Sequence, residues 1–180
     1  RKNRRYTDAK SALEAVIPNL LGEDRERAEL HIATMEYDRE QTSIARQMLE
    51  SLSPKSPEVD AERLYYLVQC TRRLKLEEPM LRYARLARER YPNSEWTMEA
   101  HRWAGNYFLL INDTKAYVPL FAACADARPQ DPESAYCHWK VAWSSYLSRN
   151  ATTPTLLEDH IARYPRSDKY VAALFFLGRW

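Results

Sequence analysis

The residues with which this chain could do chemistry are four histidines, three cysteines and several adjacent carboxylates. His31, His101, His138 and His160 fall in different helix-like stretches, and none has the i, i+4 partner through which one helix face grips zinc. Each therefore reads as a surface or packing residue, and no metal or cofactor is expected. Cys137 and His138 are neighbours, but on a helix their side chains diverge by about 100°, so they cannot form a nucleophile and base pair. Glu77-Glu78, Asp24 with Glu26, and Glu158-Asp159 coincide with helix starts or face arginines, where the helix dipole and i, i+4 pairing account for them. The three glycines, at 22, 105 and 178, are too far apart for a phosphate-cradling loop. Arg82, Arg85, Arg88 and Arg90 lie opposite Leu81, Ala84 and Leu86 and read as a solvated face, with an anionic ligand left open. Asn112-Asp113-Thr114 and Asn150-Ala151-Thr152 fit the glycosylation acceptor pattern but fall where helix-to-helix turns are expected. No catalytic residue is expected, and function is to be sought on a surface.

The elements that must form this surface repeat. Pro54, Pro92, Pro129 and Pro165 follow one another at steps of 38, 37 and 36 residues, each between two helix-like stretches. A period in this range marks stacked helical units, each too small to bury its apolar face alone. Arg90-Tyr91-Pro92-Asn93-Ser94 recurs as Arg163-Tyr164-Pro165-Arg166-Ser167, and a small residue stands 13 residues after three of the prolines, at Gly105, Ala142 and Gly178. Such a residue lets paired helices approach closely.

Helix starts are marked by a cap residue followed by proline, at Ser56-Pro57, Asp131-Pro132 and Thr153-Pro154. Ser94, Asp113 or Thr114, and Ser167 open three further helices. From Pro54 onward each unit predicts a long helix and a shorter partner. Residues 1–53 are more divergent: a helix over 8–21 behind a Thr7 cap, with Pro18 inside and Gly22 as its stop, then helices over about 23–37 and 40–52. Trp96, Trp103, Tyr107, Tyr136, Trp139 and Trp143 occur on the long helices at packing intervals. The last helix, Val171 to Leu177, is apolar nearly all round, so further chain or a partner is expected to cover it. The fold expected is all-α, a right-handed superhelical solenoid of about five helical hairpins and ten helices in one domain over 1–180.

Composition fits this reading, with 45% hydrophobic and 29% charged residues and only three glycines. A net charge of +2 gives little attraction for a polyanion, so nucleic acid is not an expected partner. No stretch approaches the roughly 20 apolar residues of a membrane span. Cys70, Cys124 and Cys137 each sit in a helical apolar pattern and read as buried free thiols, while their spacing leaves open whether Cys124 and Cys137 bond in an oxidising compartment. Opening at Arg1 without Met and ending at Trp180 within an amphipathic pattern, the chain is expected to be a piece of a longer protein.

Two resemblances attach to particular segments. Ala104-Gly105-Asn106 with Phe108 and Asn112-Asp113 resembles the first-helix pattern of tetratricopeptide repeats, and Leu177-Gly178-Arg179 repeats part of it, although the units here are longer than that family's. Asp131-Pro-Glu-Ser-Ala-Tyr-Cys-His-Trp-Lys-Val-Ala-Trp143, Tyr164-Pro165 and Ala172-Ala-Leu-Phe-Phe-Leu-Gly-Arg179 resemble the helical region preceding the catalytic domain of bacterial soluble lytic murein transglycosylases. That resemblance implies a periplasmic, non-catalytic scaffold for peptidoglycan, with glycan cleavage by a lysozyme-like domain downstream. Its catalytic Glu-Ser context is not carried over to Glu50-Ser51 or Glu133-Ser134, which close and open helices. A general tetratricopeptide-like adaptor for a protein partner is the alternative. In either case ligand contact is expected from polar residues of the long helices that line the concave side: Arg63, Arg102, Asn106 and Lys140.

Overall fold

In the computed structural model the chain is all-helical, ten α-helices and one 3-10 turn, with no strand among the described residues. These are residues 2–180, with side chains from Tyr6 onward. Two compact units divide at the Tyr91-Pro92 bond.

The first unit contains α1 (Lys2–Val16), a 3-10 turn (Ile17–Asn19), α2 (Gly22–Asp38), α3 (Thr42–Ser51), α4 (Pro57–Arg73) and α5 (Glu77–Arg90). The N-terminal reading needs correction. α1 starts before Thr7, which lies inside it, and stops at Val16, because Pro18 lacks an N–H and its ring clashes with the preceding turn. Gly22, expected as a stop, instead opens α2 in the left-handed region at φ 54°. Pairs α2/α3 and α4/α5 form hairpins, sealed by fully buried Leu49, Leu64, Leu67 and Met80.

The α4/α5 hairpin closes on a buried carboxylate. Asp60, only 3% exposed, accepts hydrogen bonds from Arg63 Nε (2.7 Å), Arg90 Nη1 (3.1 Å) and the Tyr91 hydroxyl (2.7 Å). Burial alone would raise this carboxyl, but the bonds from Tyr91 and Arg63 outweigh it and hold the pKa below the usual carboxylate range. Tyr91→Phe removes one donor from a buried acceptor and is expected to destabilise the first unit by about 1–2 kcal/mol, read by circular dichroism during denaturant unfolding. An unchanged midpoint would show that the hydroxyl carries no stability.

The second unit contains α6 (Glu95–Leu110), α7 (Thr114–Ala127), α8 (Pro132–Leu147), α9 (Thr153–Arg163) and α10 (Tyr170–Arg179). Ser94, Asp113 and Asp131 cap their helices by accepting from the backbone N–H groups of Trp96, Ala116 and Glu133. Hairpins α6/α7 and α8/α9 are joined by packing of α7 on α8, and α10 packs on α9. Gly105 is needed for the first of these: a Cβ there would stand 2.9–3.1 Å from the buried ring of Phe121 on α7. Gly178, at the same point of its unit, has nothing within 4 Å, so close approach explains one small residue and not the other.

Each hairpin closes in the same way. Glu40, Lys75, Asn112 and Arg149 have φ between 51° and 66°, and the following residue's N–H bonds the carbonyl five residues back, as in Leu76 to Thr71 (2.9 Å) and Asn150 to Ser145 (3.0 Å).

α7 and α8 are also joined covalently. Cys124 and Cys137, read as free thiols from sequence, form a disulfide, because helix packing brings their Cα atoms to 6.0 Å, within bonding range. Cys70 is a free, buried cysteine whose thiol is pushed up to about 12 by burial.

Candidate functional site

Within the second unit, the start of α8 and the turn between α9 and α10 enclose a cleft of about 720 Å³. Asp131 and Pro132 fix the first turn of α8 and so place Glu133, Ala135 and Tyr136 along one wall. The recurring Arg163-Tyr164-Pro165-Arg166 segment forms the other wall, held by the Ser167 N–H bond to the Tyr164 carbonyl (3.0 Å) and by Ser167 Oγ accepting from the Lys169 N–H (3.1 Å).

Tyr136 joins this cleft to α6. Its hydroxyl donates to Asn106 Oδ1 at 2.6 Å, its ring meets the Phe121 ring edge-on at 6.0 Å, and Lys140 Nζ lies 5.0 Å from the ring centroid. Arg102, one turn before Asn106, bonds Glu99 through Nη2 (2.6 Å) and Nε (3.0 Å) and reaches Glu133 at 3.6 Å. Three of the four residues expected to meet a ligand, Arg102, Asn106 and Lys140, are thus gathered around Tyr136. Arg63 lies in the first unit, bonded to Asp60 and to the Leu49 carbonyl (3.1 Å) with 11% of its side chain exposed, so it serves the hairpin closure described above.

The charges of the cleft are mostly matched. Asp131 faces Arg128 at 3.7 Å, Glu133 faces Arg102, and Asp168 bonds Lys169 at 2.9 Å, which holds the Asp168 carboxyl below its ordinary value. Arg163 Nε donates to Asp159 at 2.8 Å. Arg166 is exposed and has no ion-pair partner among the described residues. Burial raises the pKa of both Tyr136 and Tyr164, so both phenols remain donors at neutral pH. These groups can hold a polar ligand. Sequence reasoning passed over Tyr136, Tyr164 and Arg166 as site residues, although the repeated Arg-Tyr-Pro segment carried the signal for one of them.

Behind Tyr164 lies a buried histidine pair. His138 Nε2 is 3.0 Å from Asp159 Oδ2, and the Nδ1 atoms of His138 and His160 are 3.2 Å apart, while the Tyr164 ring tilts against both imidazoles. His101 is also buried and bonds the Thr97 carbonyl at 2.8 Å, whereas His31 is exposed. No group of three or more His, Cys, Asp or Glu side chains with metal-binding geometry occurs among the described residues.

At the far end of α8, Trp139, Trp143 and Tyr146 stack in sequence, and Phe176 of α10 lies 4.8 Å from the last two. The opposite side of α10 is open, with Val171 74% and Phe175 54% exposed. Among the described residues, no helix is long and apolar enough to cross a membrane. No protein-family model matches the chain, and no curated protein matches it significantly.

Proposed function

We propose that this chain is a non-catalytic helical-hairpin scaffold that holds peptidoglycan for cleavage by a separate lysozyme-like domain of the same parent protein. The observation that carries the proposal is the cleft itself. Its walls are built by Asp131–Tyr136 and by Tyr164-Pro165, stretches that resemble the region preceding the catalytic domain of lytic transglycosylases, and it offers phenols and guanidinium groups suited to a peptide-bearing glycan. The Cys124–Cys137 disulfide favours an oxidising compartment, and a periplasmic location follows on this reading.

The purified chain is expected to sediment with wall sacculi and to release no soluble muropeptides. Release of anhydro-muropeptides by this chain alone would overturn the division of roles, and failure to sediment would overturn the ligand. The exposed apolar side of α10 favours a second reading, an adaptor for a protein partner. A chain that ignores sacculi and binds a defined protein through α10 would establish it.

A further inference from the structure

The α4/α5 and α8/α9 hairpins share Pro-Glu at the start and Arg-Tyr-Pro at the end. Ser56-Pro57-Glu58-Val59-Asp60 opens the first and Asp131-Pro132-Glu133-Ser134-Ala135 the second, while Arg90-Tyr91-Pro92 closes the first and Arg163-Tyr164-Pro165 the second. In the first, Arg90 and Tyr91 both bond one carboxylate oxygen, Asp60 Oδ2, at 3.1 and 2.7 Å. In the second, the residue in the Asp60 position is Ala135, which lines the 720 Å³ cleft. Tyr164 lines the same cleft and is 7% exposed; its buried hydroxyl has no partner in hydrogen-bond geometry among the described residues, although Arg163 stands close enough to act on it. A buried donor without an acceptor is unfavourable and calls for a cause. The missing acceptor is the one the sequence has exchanged for alanine.

We propose that this cleft binds a free carboxylate of a peptide ligand, which takes the place that the Asp60 side chain fills in the α4/α5 hairpin. The Tyr164 hydroxyl donates to it. Arg163, the counterpart of Arg90, is held through Nε by Asp159, so the cation comes from Arg166, which lines the cleft with no ion-pair partner among the described residues. The ligand is a peptide carboxylate and not a polyanion, because Asp131, Glu133 and Asp168 line the same cleft and would repel a denser negative charge. The inference rests on the peptidoglycan reading only for the source of the carboxylate, a wall peptide stem.

The test uses the tetrapeptide L-Ala-γ-D-Glu-L-Lys-D-Ala and its fully amidated counterpart in titration calorimetry. The free acid is expected to bind at least about tenfold more tightly, the size of one charge-assisted hydrogen bond. Tyr164→Phe and Arg166→Gln are each expected to remove most of that difference without lowering the thermal midpoint. Ala135→Asp, which restores the internal carboxylate, is expected to abolish binding of the acid and to raise the midpoint. Equal binding of acid and amide, no binding of either at about millimolar concentration, or discrimination that survives Tyr164→Phe would overturn the site. Sedimentation with sacculi, followed on the same preparations, separates the two failures. Retention without acid–amide discrimination would overturn this site alone, and discrimination without retention would overturn the peptidoglycan reading alone.

Discussion

Replacing Cys124 and Cys137 by alanine is expected to lower the unfolding free energy of the second unit by about 3 kcal/mol, the loop-closure value for a short crosslinked loop. The two cysteines are 13 residues apart and fully buried, and the bond ties α7 to α8 beneath the wall of the cleft. Freed of it, the unfolded chain gains conformations that the bond forbids, while the buried residues of α7 and α8, Leu120, Phe121 and Ala142 among them, are unchanged. The measurement is direct. All five tryptophans, at 96, 103, 139, 143 and 180, fall in Pro92–Trp180, so their emission during denaturant unfolding reports that unit. Oxidised and reduced protein should differ in midpoint by the same amount as wild type and the double variant. Coincident transitions would mean that the bond only decorates a core already stable without it. Cys70 lies in the first unit, and in the folded chain burial pushes its thiol up to about 12.

What could be read from sequence follows the range of the interactions involved. Most helix starts were legible because caps are local, but α10 begins at Tyr170 behind Lys169 and not at Ser167, and α9 is capped at Thr152 with Thr153 already helical. Asp113 and Asp131 bond an N–H two or three residues on, and Pro57 and Pro132 need only the φ of a first helical turn. Hairpin closures were not legible at three of four positions, since Glu40, Lys75 and Arg149 adopt left-handed φ values that their residue types do not favour. There the tertiary hairpin overrides a local preference of about 1–2 kcal/mol. The disulfide was hidden for the opposite reason, because a separation of 13 residues says nothing until two helices pack.

The site divides along the same line. Arg102, Asn106 and Lys140 were chosen by their place on long helices; α6 and α8 gather them around Tyr136, and none of the three lines the cleft itself. Arg63 shared that place but has Asp60 three residues before it on α4, and this near acceptor captured it. The cleft was invisible because its defining residue, Ala135, marks a side chain that is absent, and an alanine acquires meaning only beside Asp60 in a matched hairpin.

Acidification is expected to destabilise the second unit through the His138–His160 pair. With Asp159 ionised, His138 donates from Nε2, its Nδ1 accepts from His160 Nδ1–H, and His160 Nε2 is left buried with no partner. A proton can be added to His160 only at Nε2, where nothing accepts it. Burial first, and then the neighbouring His138, lower the His160 pKa to about 4, while Asp168 and Asp159 act weakly the other way. Burial also lowers His138, against the hydrogen bond and charge of Asp159, with Arg163 adding to the lowering and Asp126 opposing it. Both folded pKa values lie below those of the unfolded chain, so the unfolded state binds more protons between about pH 6.5 and pH 4. Stability is therefore full above pH 6.5 and falls as pH drops through that window, by at most about 3 kcal/mol for His160. Tryptophan-detected unfolding at pH 7, 5.5 and 4.5 measures the fall, and His160→Gln separates this pair from the carboxylates elsewhere. The variant should lose most of the slope between pH 6.5 and 4.5, because its amide does not titrate. A slope unchanged by the substitution would assign the acid sensitivity to other groups, and His138 or His160 resonances titrating near pH 6.5 would contradict the buried neutral pair itself.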